Sequence, residues 1–166
     1  MPKKKKRRPL KFLKKFQPPI PEVSRFKLGD KPVSFYEIKD LTPVFAFNYI
    51  SLRKTNKCFN CDDIAQKTYH KIFERLKNIS RVYFKELIEG GRAIRFHHVD
   101  FNDERVKIMV SDFREALTPR SETLDDENTP ELYQFSIGGE KRIFGFLGKP
   151  GIFYLIWFDN KHSIYA

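Results

Sequence analysis

The segment LYQFSIGGEKRIFGFLGKPGIFYLIWFDNKHSIY, residues 132–165, decides the fold. Tyr133 to Ile137 reads as a strand, Gly138-Gly139 as a turn, Arg142 to Leu147 as a second strand, Gly148 to Gly151 as another turn, and Ile152 to Phe158 as a third strand. Aromatic and branched residues fill the strands, and glycines sit where the chain must reverse. The expected unit is a three-stranded antiparallel meander, closed by an extended piece at Ser163 to Tyr165. Trp157 with Phe153, Tyr154 and Phe158 is read as core, because continuously apolar strands are usually covered on both faces.

Upstream of the meander, residues 118–131 hold Pro119, Pro130 and five acids, the composition of a polar loop. Asp103 to Leu117 fits a helix with Val106, Met109, Val110, Phe113 and Leu117 on one face, although Val106 to Val110 fits a strand equally well. Ile94 to Val99 reads as a strand. Ser80 is placed as the cap of a helix carrying Tyr83, Phe84, Leu87 and Ile88, ended by Gly90-Gly91. Before it, Cys61 or Asp62 is expected to cap a longer helix in which Ala65, Tyr69, Ile72, Leu76 and Ile79 recur at helical spacing. Two helices joined so tightly form a hairpin. Val33 to Ile38 and Val44 to Ile50 are expected to be strands. The fold class is therefore α+β: a helix hairpin packed on an antiparallel β-sheet, in a single domain spanning 33–166.

Residues 1–32 are set apart by charge. The chain carries 32 Lys and Arg against 21 Asp and Glu, a net charge of +11. Nine of the basic residues and none of the acids fall in the first 16 positions, so residues 17–166 carry only +2 of that charge. Lys3, Lys4, Lys5, Lys6, Arg7, Arg8, Lys11, Lys14 and Lys15 alternate with prolines, and such a segment can neither hold a helix nor bury a surface. It is expected to be a disordered basic arm that grips nucleic acid through phosphates, without regard to sequence. Arg53 and Lys54, in a loop, would add to that grip. The 40% hydrophobic content is enough for a core and excludes wholesale disorder. No apolar run reaches the roughly 18–20 residues of a membrane span. The basic opening lacks the apolar middle of a signal peptide, so the expected setting is the cytoplasm.

The order of elements in the C-terminal third supports a more specific expectation. A helix hairpin, a strand, a glycine-containing turn, an Arg-Ile strand, a hairpin, an apolar strand, a basic loop and a final tyrosine resemble the RelE/ParE superfamily of bacterial toxins. The match is detailed over residues 132–165, and over 44–90 it covers only the order of elements. RelE-type members cut mRNA on the ribosome by turning the ribose 2′-hydroxyl onto the neighbouring phosphate. That chemistry needs a base, cations for the growing phosphate charge, and an acid for the leaving 5′ oxygen. The resemblance implies that Arg142 stabilises the phosphate, Lys141 assists it, Tyr165 orients the reacting groups or moves a proton, and His162 serves as base or acid. It further implies RNA or the ribosome as partner, an antitoxin that neutralises the protein, and no metal or cofactor. ParE-type members keep the fold without cutting RNA. A second reading therefore stays open: a non-catalytic nucleic-acid-binding or interaction protein of a phage or mobile element.

The remaining constellations are weaker. Cys58-Phe-Asn-Cys61 before a helix has the spacing of a redox pair, and with His97 and His98 it would complete a four-ligand zinc set, but two ordinary thiols near a helix cap is the preferred reading. Arg92, Arg95, His97 and His98 suggest a second phosphate-facing patch, with Arg95 and His97 on one face of their strand.

Overall fold

The computed structural model describes residues 35–52, 59–61, 64–90, 94–117, 124 and 129–165. Its frame is one five-stranded sheet. Strand β1 is Val44–Ala46, β2 His97–His98, β3 Tyr133–Gly138, β4 Lys141–Leu147 and β5 Ile152–Asp159. Their order across the sheet is β1-β5-β4-β3-β2. The three C-terminal strands form the expected antiparallel meander, and β2 joins it antiparallel to β3. The expectation of a wholly antiparallel sheet is corrected at the other edge, where β1 runs parallel to β5. The connection from β1 reaches the sheet's far side through helices before the chain returns, which is how a parallel neighbour arises.

Helices cover both faces. Helix α1 is Phe35–Ile38, α2 Gln66–Ile79, α3 Phe84–Glu89 and α4 Val110–Leu117. Leu76 and Ile79 of α2 and Phe84 and Leu87 of α3 share one core with Phe135, Ile137, Ile143, Phe153 and Phe158. Phe113 and Leu117 of α4 share a second with Phe144, Phe146, Ile156, Trp157 and Ile164. Trp157 is core, as the sequence indicated, with its ring edge-on to Phe59 and Phe113.

A bulge in β5 sets which side chains reach which face. The β4–β5 register passes from Phe144↔Trp157 to Gly145↔Leu155, leaving Ile156 as the extra residue. Phe153 and Leu155 face α2 and α3, yet Ile156 and Trp157 both face α4, and alternation resumes one position out of phase. Asp159 is thereby turned to the α4 face, beside its cross-strand partner Arg142. Gly145 lies opposite the bulge; a Cβ there would stand 2.2 Å from the Tyr154 carbonyl oxygen and 2.5 Å from the Phe153 ring. Only glycine lets the strands approach so closely.

Beyond the end of β1, Asn60 continues the pairing of β5. Its Nδ2 donates to the Ile156 carbonyl at 2.7 Å, and its Oδ1 accepts the Phe158 N–H at 2.7 Å. One buried side-chain amide thus stands in for a peptide unit of the missing neighbour strand. Replacing Asn60 by alanine leaves a buried donor and acceptor unpaired and is expected to cost about 2 kcal/mol, read as a lower urea midpoint with an unchanged slope.

Several sequence boundaries move. Phe35–Ile38 is a helical turn rather than a strand; it delivers Ile38 to the core while Tyr36 and Glu37 stay exposed. Strand β1 stops at Ala46, where the chain turns and Ile50 N–H bonds the Phe47 carbonyl. Cys61 closes a 3-10 turn, Phe59–Cys61, and α2 starts at Gln66 after Ala65, with no side-chain cap bond. Ser80 ends α2 instead of opening α3: its N–H bonds the Leu76 carbonyl and its hydroxyl the Lys77 carbonyl. Residues 103–109 form turns, and α4 begins only at Val110, with Asp112 reaching back to the Met109 N–H at 2.7 Å. The basic arm with Lys3–Lys6, Arg7, Arg8, Lys11, Lys14 and Lys15, together with Arg53, Lys54, Cys58, Asp62 and Arg92, lies outside the described residues. Among the described residues no helix is long and apolar enough to cross a membrane.

Candidate functional site

On the α4 side of the sheet, at the end where β4 begins and β5 finishes, an open cleft of about 420 Å³ is lined by Arg95, His97, Arg105, Gln134, Arg142, His162 and Tyr165. Arg142, His162 and Tyr165 are three of the four catalytic candidates. Arg95, expected to bind nucleic acid, and His97 line the same cleft, whereas His98 of the expected second patch does not, and Arg95 precedes β2 rather than sharing a strand face with His97. Lys141 is not among the lining residues: as the immediate neighbour of Arg142 in β4 it belongs to the other face of the strand.

Arg142 is only 4% exposed, so it is not the solvated strand residue that its polarity alone would suggest. Its Nη1 donates to Ser136 Oγ at 3.3 Å, to the Gly139 carbonyl at 2.7 Å and to the Lys141 carbonyl at 2.9 Å, which fixes the guanidinium at the cleft wall. Burial pulls its pKa down, nearby Arg95 pulls the same way, and the charges of Asp159 and Glu140 oppose them. Two guanidinium groups close enough to repel each other beside an open cleft favour an anion between them.

Asp159 organises the C-terminal wall. It is buried, and its carboxylate accepts the Lys161 N–H at 3.2 Å and the Ile164 N–H at 2.8 Å. The turn thus held contains His162, half-buried, with φ at 57°. Arg95 on the opposite wall has φ at 53°. These are the non-glycine residues with positive φ among the described residues, and both line the cleft; backbone strain of this kind concentrates at functional sites.

Tyr165 is held by a clamp that the sequence did not disclose. Its hydroxyl donates to Asp103 Oδ2 at 2.5 Å, and Arg105 bonds both oxygens of that carboxylate, at 3.0 and 2.6 Å. The Arg105 guanidinium also lies over the Tyr165 ring, 5.1 Å from its centre. Loss of water contact, then the Asp103 hydrogen bond, raise the Tyr165 pKa, so the phenol stays protonated and orients rather than accepts. His97 is fixed too: Gln134 Nε2 lies 2.7 Å from its Nε2, and the ring also hydrogen-bonds the Arg95 backbone. Desolvation, with repulsion from Arg142, His98 and Arg95, lowers the His97 pKa and favours the neutral ring.

The family model described as uncharacterised protein UU032 matches residues 44–166. The chain belongs to the UU032 family. No curated protein and no solved structure matches it. Every residue lining the cleft lies inside the UU032 match, whereas the basic arm lies before it.

Of the lining residues, Arg105 and Gln134 have no place among the groups expected from sequence to react or to hold phosphate, whereas His97 belongs to the expected second patch. Gln134 and Ser136 carried a usable signal, being polar residues two apart in a strand otherwise built of Tyr133, Phe135 and Ile137; both are buried on the cleft face. Arg105 carried none, since the turn that brings it to Tyr165 follows no periodic pattern.

Proposed function

We propose that this protein is a RelE/ParE-like RNA-binding protein whose cleft seats an RNA phosphate between Arg142 and Arg95, and that it cuts the strand there without a metal. The observation that carries the reading is the convergence of Arg142, His162 and Tyr165 with Arg95 and Arg105 on one cleft at the end of the sheet. The two arginines meet the phosphate as its charge grows, His162 takes the 2′-hydroxyl proton or returns one to the leaving 5′ oxygen, and Tyr165, kept protonated, orients the reacting oxygens. The ribosome is the proposed place of action, an antitoxin the proposed neutralising partner, and the cytoplasm the setting.

The test is induced expression of the wild type beside Arg142→Ala and Tyr165→Phe, with RNA ends mapped. The wild type is expected to arrest growth and leave 2′,3′-cyclic phosphate ends, and purified protein to cut single-stranded RNA in the presence of chelator. Equal growth and unchanged RNA in all three strains would end the nuclease reading.

The second reading, a non-catalytic nucleic-acid binder of a phage or mobile element, is favoured by the Tyr165 clamp, which commits the phenolic proton to Asp103. In either case the arm supplies affinity without specificity. Removing residues 1–21 is expected to weaken RNA binding and flatten its dependence on salt by several units of slope, while leaving any cleavage pattern in place. An unchanged slope would make the arm a solubilising tail only.

A further inference from the structure

Gln134 is buried to 2% exposure on the cleft wall, and its side chain is only half satisfied. Its Nε2 faces His97 Nε2 at 2.7 Å, while its Oε1 is buried with no hydrogen-bond partner. The other bond of the His97 ring goes to the Arg95 backbone, so the ring presents a donor to that carbonyl and, when neutral, an acceptor to Gln134. The arrangement is self-consistent for a neutral histidine and leaves one buried acceptor idle. A second arrangement is open to the same pair: a doubly protonated His97 would donate from Nε2, and Gln134 would rotate its amide so that Oε1 accepts and Nε2 takes the unpartnered position.

We propose that an RNA phosphate entering the cleft is bound together with a proton taken up on His97, with the Gln134 amide turning over to receive it. The inference rests on the cleft being the phosphate site and adds how that site selects its ligand's charge. In the free protein desolvation of the ring opposes protonation first, the bond to the Arg95 backbone favours it, and the positive groups around the ring add to the opposition: Arg142 from β4, His98 from the same strand and Arg95 from the preceding loop. Arg105 also lines the cleft, its charge shared with Asp103. A bound phosphate reverses the sign of that local field, because its charge is shared among the same cations that repelled the proton. His97 then charges, and the imidazolium becomes one more cation on the anion. The two tied ring nitrogens make His97 a positioning and charge-matching residue, leaving proton transfer in the reaction to His162.

The sign follows from linkage. The free-state pKa of His97 lies below the ordinary histidine value, and the proposal requires the bound-state value to lie above the free one. Binding therefore strengthens as pH falls through the interval between them, by up to about tenfold per pH unit, and is flat on either side. The experiment is calorimetric titration of the full chain with a short 2′-O-methyl single-stranded RNA, which carries phosphates but no attacking hydroxyl, in buffers of different ionisation enthalpy near neutral pH. The wild type and His70→Asn, a change at an exposed histidine of α2 outside the cleft, are expected to take up on the order of half a proton per RNA, and His97→Asn close to none. Nitrogen-15 spectra of the wild type give a second readout independent of any variant: His97 Nε2 is expected to move from the unprotonated to the protonated range when RNA is added. Wild-type binding without uptake, uptake unchanged in His97→Asn, or an Nε2 signal unmoved by RNA overturns the proton linkage and leaves the phosphate site standing. Failure of the wild type to bind RNA overturns both.

Discussion

Replacing Arg142 by alanine is expected to lower RNA cleavage by about 10²–10³-fold, the usual effect of removing one preorganised group that meets charge developing in a transition state. The expectation follows from how this guanidinium is held. Three hydrogen bonds through Nη1 fix it at the cleft wall, so little reorganisation is needed when phosphate arrives. A surface arginine would spend part of its interaction on being ordered; this one is ordered already. Arg142→Lys keeps the charge but loses the planar fork, and is expected to recover only a minor part of the activity. Under the non-catalytic reading, the same alanine variant would lower RNA affinity by about 10–100-fold and leave no cleavage to measure. Urea midpoints of all variants must accompany the assays, because Arg142 also offsets the buried charge of Asp159. Full activity in a folded Arg142→Ala protein would remove Arg142 from the phosphate site.

How far the sequence disclosed this arrangement depended on the range of the interaction involved. The meander was legible because its turns are local: Gly138, Gly139 and Gly151 take positive φ where the chain reverses, and the residues between them have one choice of partner. Leu76, Ile79, Phe84 and Leu87 were placed on the inner helix faces because helical spacing is local as well. Tyr69 was misplaced on that face; it is exposed, and the buried side runs instead through Thr68 and Leu76. The parallel edge formed by β1 had no local signature, nor did the Asn60 side chain that prolongs it across 96 residues of sequence. Of the cleft lining, Arg142, His162 and Tyr165 are the residues that the family resemblance of the meander singles out, and that resemblance rests on locally readable turns and strands. Arg105 and Asp103 were missed because they act from a non-repeating turn. The place of Asp159 had no signature either, because the bulge at Ile156 decides which way it points and no pattern of apolar residues announces a bulge.

Asp159 carries the largest expected effect on stability. Asp159→Ala removes a buried acceptor from the Lys161 and Ile164 N–H groups, at 3.2 and 2.8 Å, and the negative charge nearest Arg142 from across the strand pair. Each buried group left unpaired carries its own desolvation penalty, and bonds to a charged acceptor are the stronger kind, so the loss is expected to reach about 3–5 kcal/mol, read from urea denaturation. Asp159→Asn separates the two roles. Its amide oxygen can still accept from Ile164, so most of the stability should return, whereas the charge that offsets Arg142 does not. In that folded variant Arg142 stays charged and keeps its three Nη1 bonds, so phosphate-dependent activity is expected to change by less than about tenfold. The His162 resonances should shift strongly in the alanine variant and little in the asparagine one, since the turn that holds His162 hangs on the Ile164 bond. If the alanine variant unfolds at the wild-type urea concentration with His162 unmoved, the turn is held by other contacts, such as the Lys107 N–H to Ile164 carbonyl bond at 2.8 Å. Asp159 would then be a counter-charge for Arg142 alone, and the link between the bulge in β5 and the geometry of the cleft would be broken.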